Sequence, residues 1–368
     1  MSNVRHVLGI SGGKDSAALA IYMRTHYPEI NMEYYFMDTG KELDETYQFI
    51  NDLEIFLGMK VLRLEAAQDS PLDPFDHYLA MYGGYLPSAQ ARWCTRKLKL
   101  EPFEQMFVGD EPTLSYVAIR GDEDREGYVS HKSNIQTVFP FRRNMWSKDI
   151  ITMVLGNENQ TRIAGIIAQL GDTPQHQAMA ELARRELSPK FNQTRKLNMM
   201  LDLSPAIFNH IVYESLQGTD LAIAQVDEYA LLDNEESVDR DGVFRLLDES
   251  GVGKPRYYEP IEFEVNGQTG FYNRSRSGCY FCFYQQKIEW VWLYEQHPKR
   301  FAQALEYEKE GFTWMDDERL EELIAPQRMM QIKEMHLKKS NNGSKTKSAF
   351  LVDVLAESEG EGCTACFI

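Results

Sequence analysis

The fold is decided by the stretch HVLGISGGKDS, residues His6 to Ser16. Its first five residues are largely apolar and predict a buried strand, and the composition after Ser16 predicts a helix. Between them, Gly12 and Gly13 predict a tight turn that lets the backbone approach a ligand closely. A helix N-terminus carries the positive end of the helix dipole, so strand, turn and helix together predict a phosphate site.

The side chains of this loop also suit a bound phosphate. Lys14 adds a positive charge, and the hydroxyls of Ser11 and Ser16 can donate hydrogen bonds. The loop is not a Walker A motif, which has four residues between its two glycines and a Ser or Thr after its Lys. Here Gly9 and Gly13 are one residue too close together, and Asp15 follows Lys14. An ordinary glycine-rich turn between a strand and a helix is the alternative interpretation.

Strand-like and helix-like segments alternate over the first 150 residues. Further strands are predicted at 32–37, 61–64 and 115–119, and a helical pattern spans 45–57. Such alternation predicts an α/β fold, a doubly wound parallel sheet with helices on both faces. We therefore assign residues 1–150 to a nucleotide-binding domain.

The rest of the chain divides into three segments by composition. Residues 151–255 are helix-like, with helix-start signals of a Thr or Ser before a Pro at Thr173, Ser188 and Ser204, and they predict a helical insertion. Residues 256–337 hold a β-rich stretch, a CxxC motif and further helices, and they predict a region for a metal or cluster. Residues 338–368 predict a flexible C-terminal tail.

The net charge of −17 limits the classes of partner. It opposes non-specific binding to nucleic acid or to an anionic membrane surface, so any contact with DNA needs a local basic patch or partner subunits. The sequence has no apolar run long enough to span a membrane and no signal-peptide core at its start, which predicts a cytoplasmic protein. In that reducing compartment, paired cysteines more often indicate metal or redox chemistry than disulfides.

The loop at residues 11–16 resembles the SGGxDS signature of the PP-loop ATP pyrophosphatases, which implies the adenine nucleotide alpha hydrolase-like fold. Within that group the chain is similar to the branch of the adenylyl-sulfate and phosphoadenylyl-sulfate reductases and their relatives in DNA phosphorothioation. Four further segments resemble motifs of this branch: Met37-Asp38-Thr39-Gly40, Cys94-Thr95-Arg96-Lys97 with Pro102, the loop Ile119-Arg120-Gly121-Asp122-Glu123-Asp124-Arg125, and Ser277-Gly278-Cys279-Tyr280-Phe281-Cys282. The resemblance covers residues 5–150 and 270–300 and leaves out the helical insertion.

This resemblance implies that ATP is cleaved to AMP and pyrophosphate while an oxygen is adenylated, or that an adenylylated sulfur compound is bound. It implies catalytic roles for Lys14, Asp15 and Arg120. Mg²⁺ normally bridges such phosphates, and Asp15 or Asp38 could help to hold it, with helix capping as the alternative for either. The residues expected to bind the nucleotide are Ser11, Gly12, Gly13, Lys14, Asp15, Ser16, Asp38, Thr39, Gly40 and Arg120.

Cys94, Cys279 and Cys282 are the expected metal ligands. Two thiolates two residues apart can share one metal or cluster, and the resemblance adds Cys94 as a distant third. Iron–sulfur reductases of this branch carry tandem cysteines where this chain has Trp93-Cys94, so one of their four ligands is missing. A [4Fe–4S] cluster with an iron left open for hydrosulfide is one interpretation, and a fourth ligand from the tail is another. Zinc and an unmetallated thiol pair are the alternatives.

A second CxxC motif lies in the tail, at Cys363 and Cys366. The related reductases end with a catalytic cysteine in an E-C-G-x-H setting, and this tail lacks that His. A mobile thiol could accept persulfide sulfur or reduce an intermediate, so both cysteines are candidate catalytic residues. The alternative is a tail with incidental cysteines.

The main functional hypothesis is a sulfur-transfer ATP pyrophosphatase, in which sulfur displaces AMP from an adenylated acceptor. The chain resembles the pyrophosphatase component of DNA phosphorothioation systems. That resemblance implies a sulfur donor such as a cysteine desulfurase, and DNA handled with partner subunits. Two alternatives remain open: a sulfonucleotide reductase and a non-catalytic nucleotide-binding subunit.

Overall fold

A parallel sheet forms the centre of the first part of the chain. The structure is a computed structural model, and it describes residues 4–107, 109–125, 130 and 132–343. The sheet has five strands: β1 (Arg5–Gly9), β2 (Met32–Asp38), β3 (Leu62–Glu65), β4 (Thr113–Tyr116) and β5 (Ile135–Val138). Their order is β3-β2-β1-β4-β5, and every neighbouring pair is parallel.

This strand order determines where a ligand can bind. The chain adds β2 and β3 on one side of β1 and then crosses to add β4 and β5 on the other side, so the order reverses between β1 and β4. In open α/β sheets, ligands bind beyond the carboxyl ends of the strands at such a reversal. The loop at residues 10–13 leaves the carboxyl end of β1 at this point.

Helices cover both faces of the sheet. One core on the first face contains the strand residues Leu8, Tyr34 and Phe36. A separate core on the opposite face contains the alternate residues Val7 and Tyr35. The doubly wound α/β fold predicted from the sequence is thereby confirmed. The helices of this part are α1 (Lys14–His26), α2 (Asp44–Leu57), α3 (Pro74–Met81), α4 (Trp93–Thr95), a π-helix at Arg96–Leu100, and α5 (Glu101–Met106).

The segment predicted as a helical insertion is helical. It contains α6 (Lys148–Leu155), α7 (Gln160–Leu170), α8 (Pro174–Arg184), α9 (Gln193–Leu203), α10 (Pro205–Leu216) and α11 (Arg240–Glu249), with 3₁₀ turns at Asn157–Asn159, Ala222–Gln225 and Ala230–Asp233. Its apolar side chains, such as Phe208 and Val243, share one core with Leu19 of α1. The insertion therefore packs directly on the helix that follows the phosphate loop.

Two of the three predicted helix starts in this segment are correct. Thr173 and Ser204 accept hydrogen bonds from backbone N–H groups in the first turns of α8 and α10. The prediction at Ser188 is wrong, because Ser188 and Phe191 instead exchange two backbone hydrogen bonds in a tight turn. The next helix begins at Gln193 and is capped by Asn192.

The remaining part of the described chain has a hairpin and a helical core of its own. A 3₁₀ turn at Arg256–Tyr258 precedes β6 (Ile261–Val265) and β7 (Gln268–Tyr272), which pair antiparallel around a turn at Asn266-Gly267. Four helices follow: α12 (Lys287–Gln296), α13 (Pro298–Tyr307), α14 (Leu320–Leu323) and α15 (Pro326–Gly343). Within the described residues, none of the helices has the length and apolar character needed to cross a bilayer.

Candidate functional site

The phosphate loop has the compact geometry expected of an anion site. Gly12 has a φ of +72°, and a Cβ atom there would lie 2.3 Å from Cγ2 of Thr46, so only glycine fits. The Ser11 backbone N–H donates to Ser16 Oγ at 3.0 Å, and Ser16 Oγ donates to the Gly13 carbonyl at 3.3 Å. Helix α1 begins directly after this turn, so its N-terminus faces the loop.

A buried ion cluster supports the loop. Lys14, Asp15 and Arg120 are 5%, 8% and 3% exposed. Asp15 lies between the two cations, with Oδ2 at 3.2 Å from Lys14 Nζ and Oδ1 at 3.1 Å from Arg120 Nη1. Burial acts to raise the pKa of Asp15, but the charges of Lys14 and Arg120 outweigh it and lower that pKa. Asp15 is therefore ionised and holds both cations beside the helix N-terminus.

Arg120 has further acidic neighbours. Its Nε is 2.9 Å from Asp122 Oδ1, and its Nη2 is 3.6 Å from Glu123 Oε1. A buried guanidinium needs such partners, because an unpaired buried charge is strongly destabilising. The structure thus brings the three predicted catalytic residues of the first domain together, although Arg120 lies far from the loop in the sequence.

The predicted Asp38-Thr39-Gly40 segment follows strand β2. Asp38 Oδ1 accepts hydrogen bonds from the Gly40 N–H at 2.9 Å and the Tyr47 hydroxyl at 2.7 Å. Thr39 Oγ1 lies 3.2 Å from Cys279 Sγ and donates to Glu42 Oε1 at 3.0 Å. The segment therefore contacts the CxxC motif through Thr39.

The three predicted metal ligands line one cavity. Cys94, Cys279 and Cys282 share it with aromatic side chains that include Phe281 and Trp314. Burial raises the pKa of Cys94 to about 12 and that of Cys279 well above its ordinary range. Thiolates in this cavity therefore require a nearby positive charge, either from a metal or from the chain.

The donor set suits a thiolate-bound metal in kind. Three thiols facing one cavity match the ligands preferred by both iron–sulfur clusters and zinc. Within the described ranges, however, no three His, Cys, Asp or Glu side chains are grouped to hold a single metal ion. The three cysteines therefore match these metals in the type of ligand, but their side chains are not placed around a single ion in this structure. The predicted Cys363 and Cys366 lie outside the described residues.

The phosphate loop and the CxxC loop are in direct contact. The Ser277 hydroxyl donates to the Ser11 carbonyl at 3.4 Å, and the Tyr257 hydroxyl donates to the Gly12 carbonyl at 3.0 Å. A Cβ atom on Gly13 would lie 2.6 Å from Ser277 Oγ. Lys99 lines both the cysteine cavity and a smaller cavity beside Ser11. The two predicted sites therefore form one continuous site.

Sequence reasoning missed Glu42 and Tyr257. Glu42 is 3% exposed, and burial raises its pKa to about 7. Its position two residues after the recognised Gly40 was the available signal, because a carboxylate next to a ligand-binding turn is a candidate site residue. Tyr257 lies in a segment without a motif, so the sequence alone carried no signal for its contact with the loop.

Comparison with known proteins supports a family for part of this chain. Residues 5–153 match the family model of the phosphoadenosine phosphosulfate reductase domain. This segment is therefore similar to that domain, and it is called the reductase-family domain on the strength of this match. The reductase-family domain contains the phosphate loop, Asp38, Cys94 and Arg120. Members of that family are enzymes that act on nucleotides, which agrees with the anion site described above.

One curated relative is an uncharacterized protein of Methanocaldococcus jannaschii. It is 29% identical over 146 residues, which cover 36% of this chain and 28% of the relative. The chain therefore spans little more than a quarter of the length of that relative. No solved structure matches the chain.

Proposed function

We propose that this chain is an ATP pyrophosphatase that adenylates an oxygen of an acceptor molecule. Sulfur would then replace that oxygen when AMP leaves. The observation that supports this is the contact between the phosphate loop and the CxxC loop, through Ser277 Oγ and the Ser11 carbonyl at 3.4 Å. A nucleotide bound at the helix N-terminus would have its reacting end beside the cavity of Cys94, Cys279 and Cys282. Activation and sulfur delivery would then share one site.

The chemistry of the first step follows from the charges around the loop. The acceptor oxygen forms a bond to the α-phosphorus of ATP, and the bond from that phosphorus to the β-bridging oxygen breaks and releases pyrophosphate. Lys14, Arg120 and the N–H groups of α1 are suited to stabilise the charge that develops on the leaving group. In-line attack otherwise needs positioning rather than a protein nucleophile.

In the second step a sulfur nucleophile bonds to the activated atom, and AMP leaves with the oxygen and its electron pair. Lys99 lines both cavities, so its ammonium group can attract the anionic groups that meet there. Cys94, Cys279 and Cys282 would hold a [4Fe–4S] cluster, with zinc as the alternative, and such a group would supply a binding position for sulfur. Cys363 and Cys366 are proposed as sulfur-accepting thiols of the tail.

The biological setting proposed here is DNA phosphorothioate modification in the cytoplasm. A cysteine desulfurase would supply sulfur, and partner subunits would present DNA to this acidic chain. Mg²⁺ would accompany ATP and neutralise its phosphates. In the structure both carboxylate oxygens of Asp15 contact cations of the chain, so Asp38 is the better of the two predicted Mg²⁺ ligands.

The test is the fate of ATP with anaerobically purified protein, alone and with DNA. We expect pyrophosphate and AMP as products, and a loss of both in Lys14→Met and Arg120→Met variants. Release of inorganic phosphate, or pyrophosphate release that persists in both variants, would contradict the proposal. The absorption spectrum of the same sample distinguishes a cluster from zinc, because only iron–thiolate bonds absorb visible light.

A sulfonucleotide reductase is the second candidate, and the match of residues 5–153 to the phosphoadenosine phosphosulfate reductase domain favours it. In that case the protein would release sulfite from adenylyl sulfate or phosphoadenylyl sulfate in the presence of a reducing thiol, and it would leave ATP intact. Nucleotide binding without either reaction would instead indicate a non-catalytic subunit.

A further inference from the structure

A small cavity lies between the phosphate loop and the cysteine cavity. Its volume of about 10 Å³ is close to the space that one water molecule or small ion needs. Its polar lining comes from Ser11, Glu42, Lys99 and Ser277. Three of these four side chains offer oxygen atoms, which are the ligands that hard divalent cations prefer.

Glu42 is the unusual member of this lining. Its Oε1 accepts hydrogen bonds from Thr39 Oγ1 at 3.0 Å and from Cys279 Sγ at 3.9 Å. Its Oε2 is buried and has no hydrogen-bond partner among the residues that the structure describes. A buried carboxylate oxygen without a partner is rare in folded proteins and usually indicates a bound water, ion or ligand. This unpartnered oxygen therefore points to an occupant of the cavity that Glu42 lines.

The other nearby carboxylates are more fully engaged. Asp15 contacts Lys14 and Arg120 through separate oxygens, and Asp38 uses Oδ1 for two hydrogen bonds. Among the described residues, Glu42 is the one of these three carboxylates that both lines the cavity beside the phosphate loop and has a buried oxygen without a partner. Mg²⁺ is typically held by one or two carboxylates together with substrate phosphates, so a single such oxygen is sufficient.

We propose that Glu42 Oε2 is a ligand of the divalent cation that binds together with the nucleotide phosphates. The inference rests on the proposed function, and it adds a cation ligand that the sequence motifs did not indicate. Ser11 and Ser277 place further oxygen donors in the same cavity. The ammonium group of Lys99 can share the cavity with a divalent cation, because the phosphate oxygens between them are negatively charged.

The test measures nucleotide affinity by calorimetry, with the non-cleaved analogue α,β-methylene-ATP in Mg²⁺ or in EDTA. We expect Mg²⁺ to strengthen binding to the wild-type protein, and Glu42→Gln to reduce that gain by at least about tenfold. In EDTA, the affinity of Glu42→Gln for the analogue should not be weaker than that of the wild-type protein. Without a cation, the Glu42 carboxylate only repels the phosphates. Glu42→Asp, which keeps a carboxylate, should restore part of the gain.

Glu65→Gln is the matched control, since Glu65 is an exposed carboxylate at the carboxyl end of β3 and its loss changes the net charge equally. It should keep the full Mg²⁺ gain. Mn²⁺ electron paramagnetic resonance of the complex with the analogue is an independent readout, and its spectrum should change in Glu42→Gln and not in Glu65→Gln.

A full Mg²⁺ gain in Glu42→Gln would overturn the inference and leave water as the occupant of the cavity, while the proposed function would still stand. A wild-type affinity that is equal in Mg²⁺ and EDTA overturns it as well. A wild-type protein that binds no nucleotide overturns both this inference and the proposed function. Thermal unfolding of each variant shows whether a loss of binding reflects a loss of fold.

Discussion

The carboxylate of Asp15 forms ion pairs with two buried cations, Lys14 and Arg120. Lys14 and Arg120 are each at most 5% exposed, and both contact its carboxylate within 3.2 Å. Removing one partner of a buried charge network leaves the others uncompensated, and that penalty exceeds the net stabilisation of the intact network. Asp15 therefore contributes to the stability of the phosphate loop even before a nucleotide binds.

We expect Asp15→Asn to lower the free energy of unfolding by about 3 kcal/mol, because two buried cations lose their shared anion. Urea unfolding of the nucleotide-free protein measures this loss. Asp202→Asn is the control, since Asp202 pairs with Arg143 at 3.0 Å on the exposed surface and the change should cost less than about 1 kcal/mol. Equal effects of the two substitutions would contradict the prediction.

Contacts between elements hold the last helices together. Glu318 accepts hydrogen bonds from Arg328 on α15 at 2.8 and 2.9 Å, and it is 2.5 Å from Lys287 on α12. The hydrogen bonds from Arg328 and Lys287 lower the pKa of Glu318 to about 2, against the opposing effect of burial. This carboxylate therefore connects α12 and α15, which pack against each other.

The pH dependence of stability should report this connection. Because the pKa of Glu318 is lower in the folded protein than in the unfolded chain, its contribution is present above about pH 4.5 and is lost as the pH falls toward 2. We expect Glu318→Gln to lower the free energy of unfolding by about 1–2 kcal/mol at pH 7, and by progressively less at pH 4 and pH 3. A difference that stays constant with pH would contradict this assignment.

The contact between the two loops can be tested at the same scale. A Cβ atom on Gly13 would lie 2.6 Å from Ser277 Oγ, although the φ of −96° at Gly13 suits any residue. We expect Gly13→Ala to destabilise the fold by about 1–3 kcal/mol through this clash alone. Adding Ser277→Ala removes the clashing oxygen and should recover part of the loss in a double-mutant cycle. Strictly additive effects would show that the loops do not touch.

At the scale of the whole molecule, the cysteine cavity joins distant parts of the chain. Cys94 belongs to the reductase-family domain, and Cys279 and Cys282 lie beyond it. A metal or cluster bound by all three would bind only the folded state and so stabilise it. We expect metal removal to lower the melting temperature of the wild-type protein and to leave a Cys94→Ala variant unchanged. A metal-free protein with an unaltered melting temperature would refute a bridging metal.

Local sequence patterns predicted the elements that depend on neighbouring residues, and they missed contacts between distant residues that lie outside any motif. Strand β1, the Gly12-Gly13 turn and helix α1 were predicted because each has a local pattern that side-chain size and backbone freedom determine. The Ser188 signal failed because a backbone bridge to Phe191 replaced the helix start. The contact of Tyr257 with Gly12 spans 245 residues, and no local pattern encodes such a separation.

The hydrogen bond between Ser277 and the phosphate loop has a consequence for biosynthesis. Ser11 and Ser277 are 266 positions apart, so the ribosome completes the phosphate loop long before it makes the residue that contacts it. Domains generally fold as units during synthesis, with N-terminal parts first. The nascent reductase-family domain therefore forms its anion site while the cysteine cavity still lacks two of its three thiols. The cavity acquires all three of its thiols only once translation has passed Cys282.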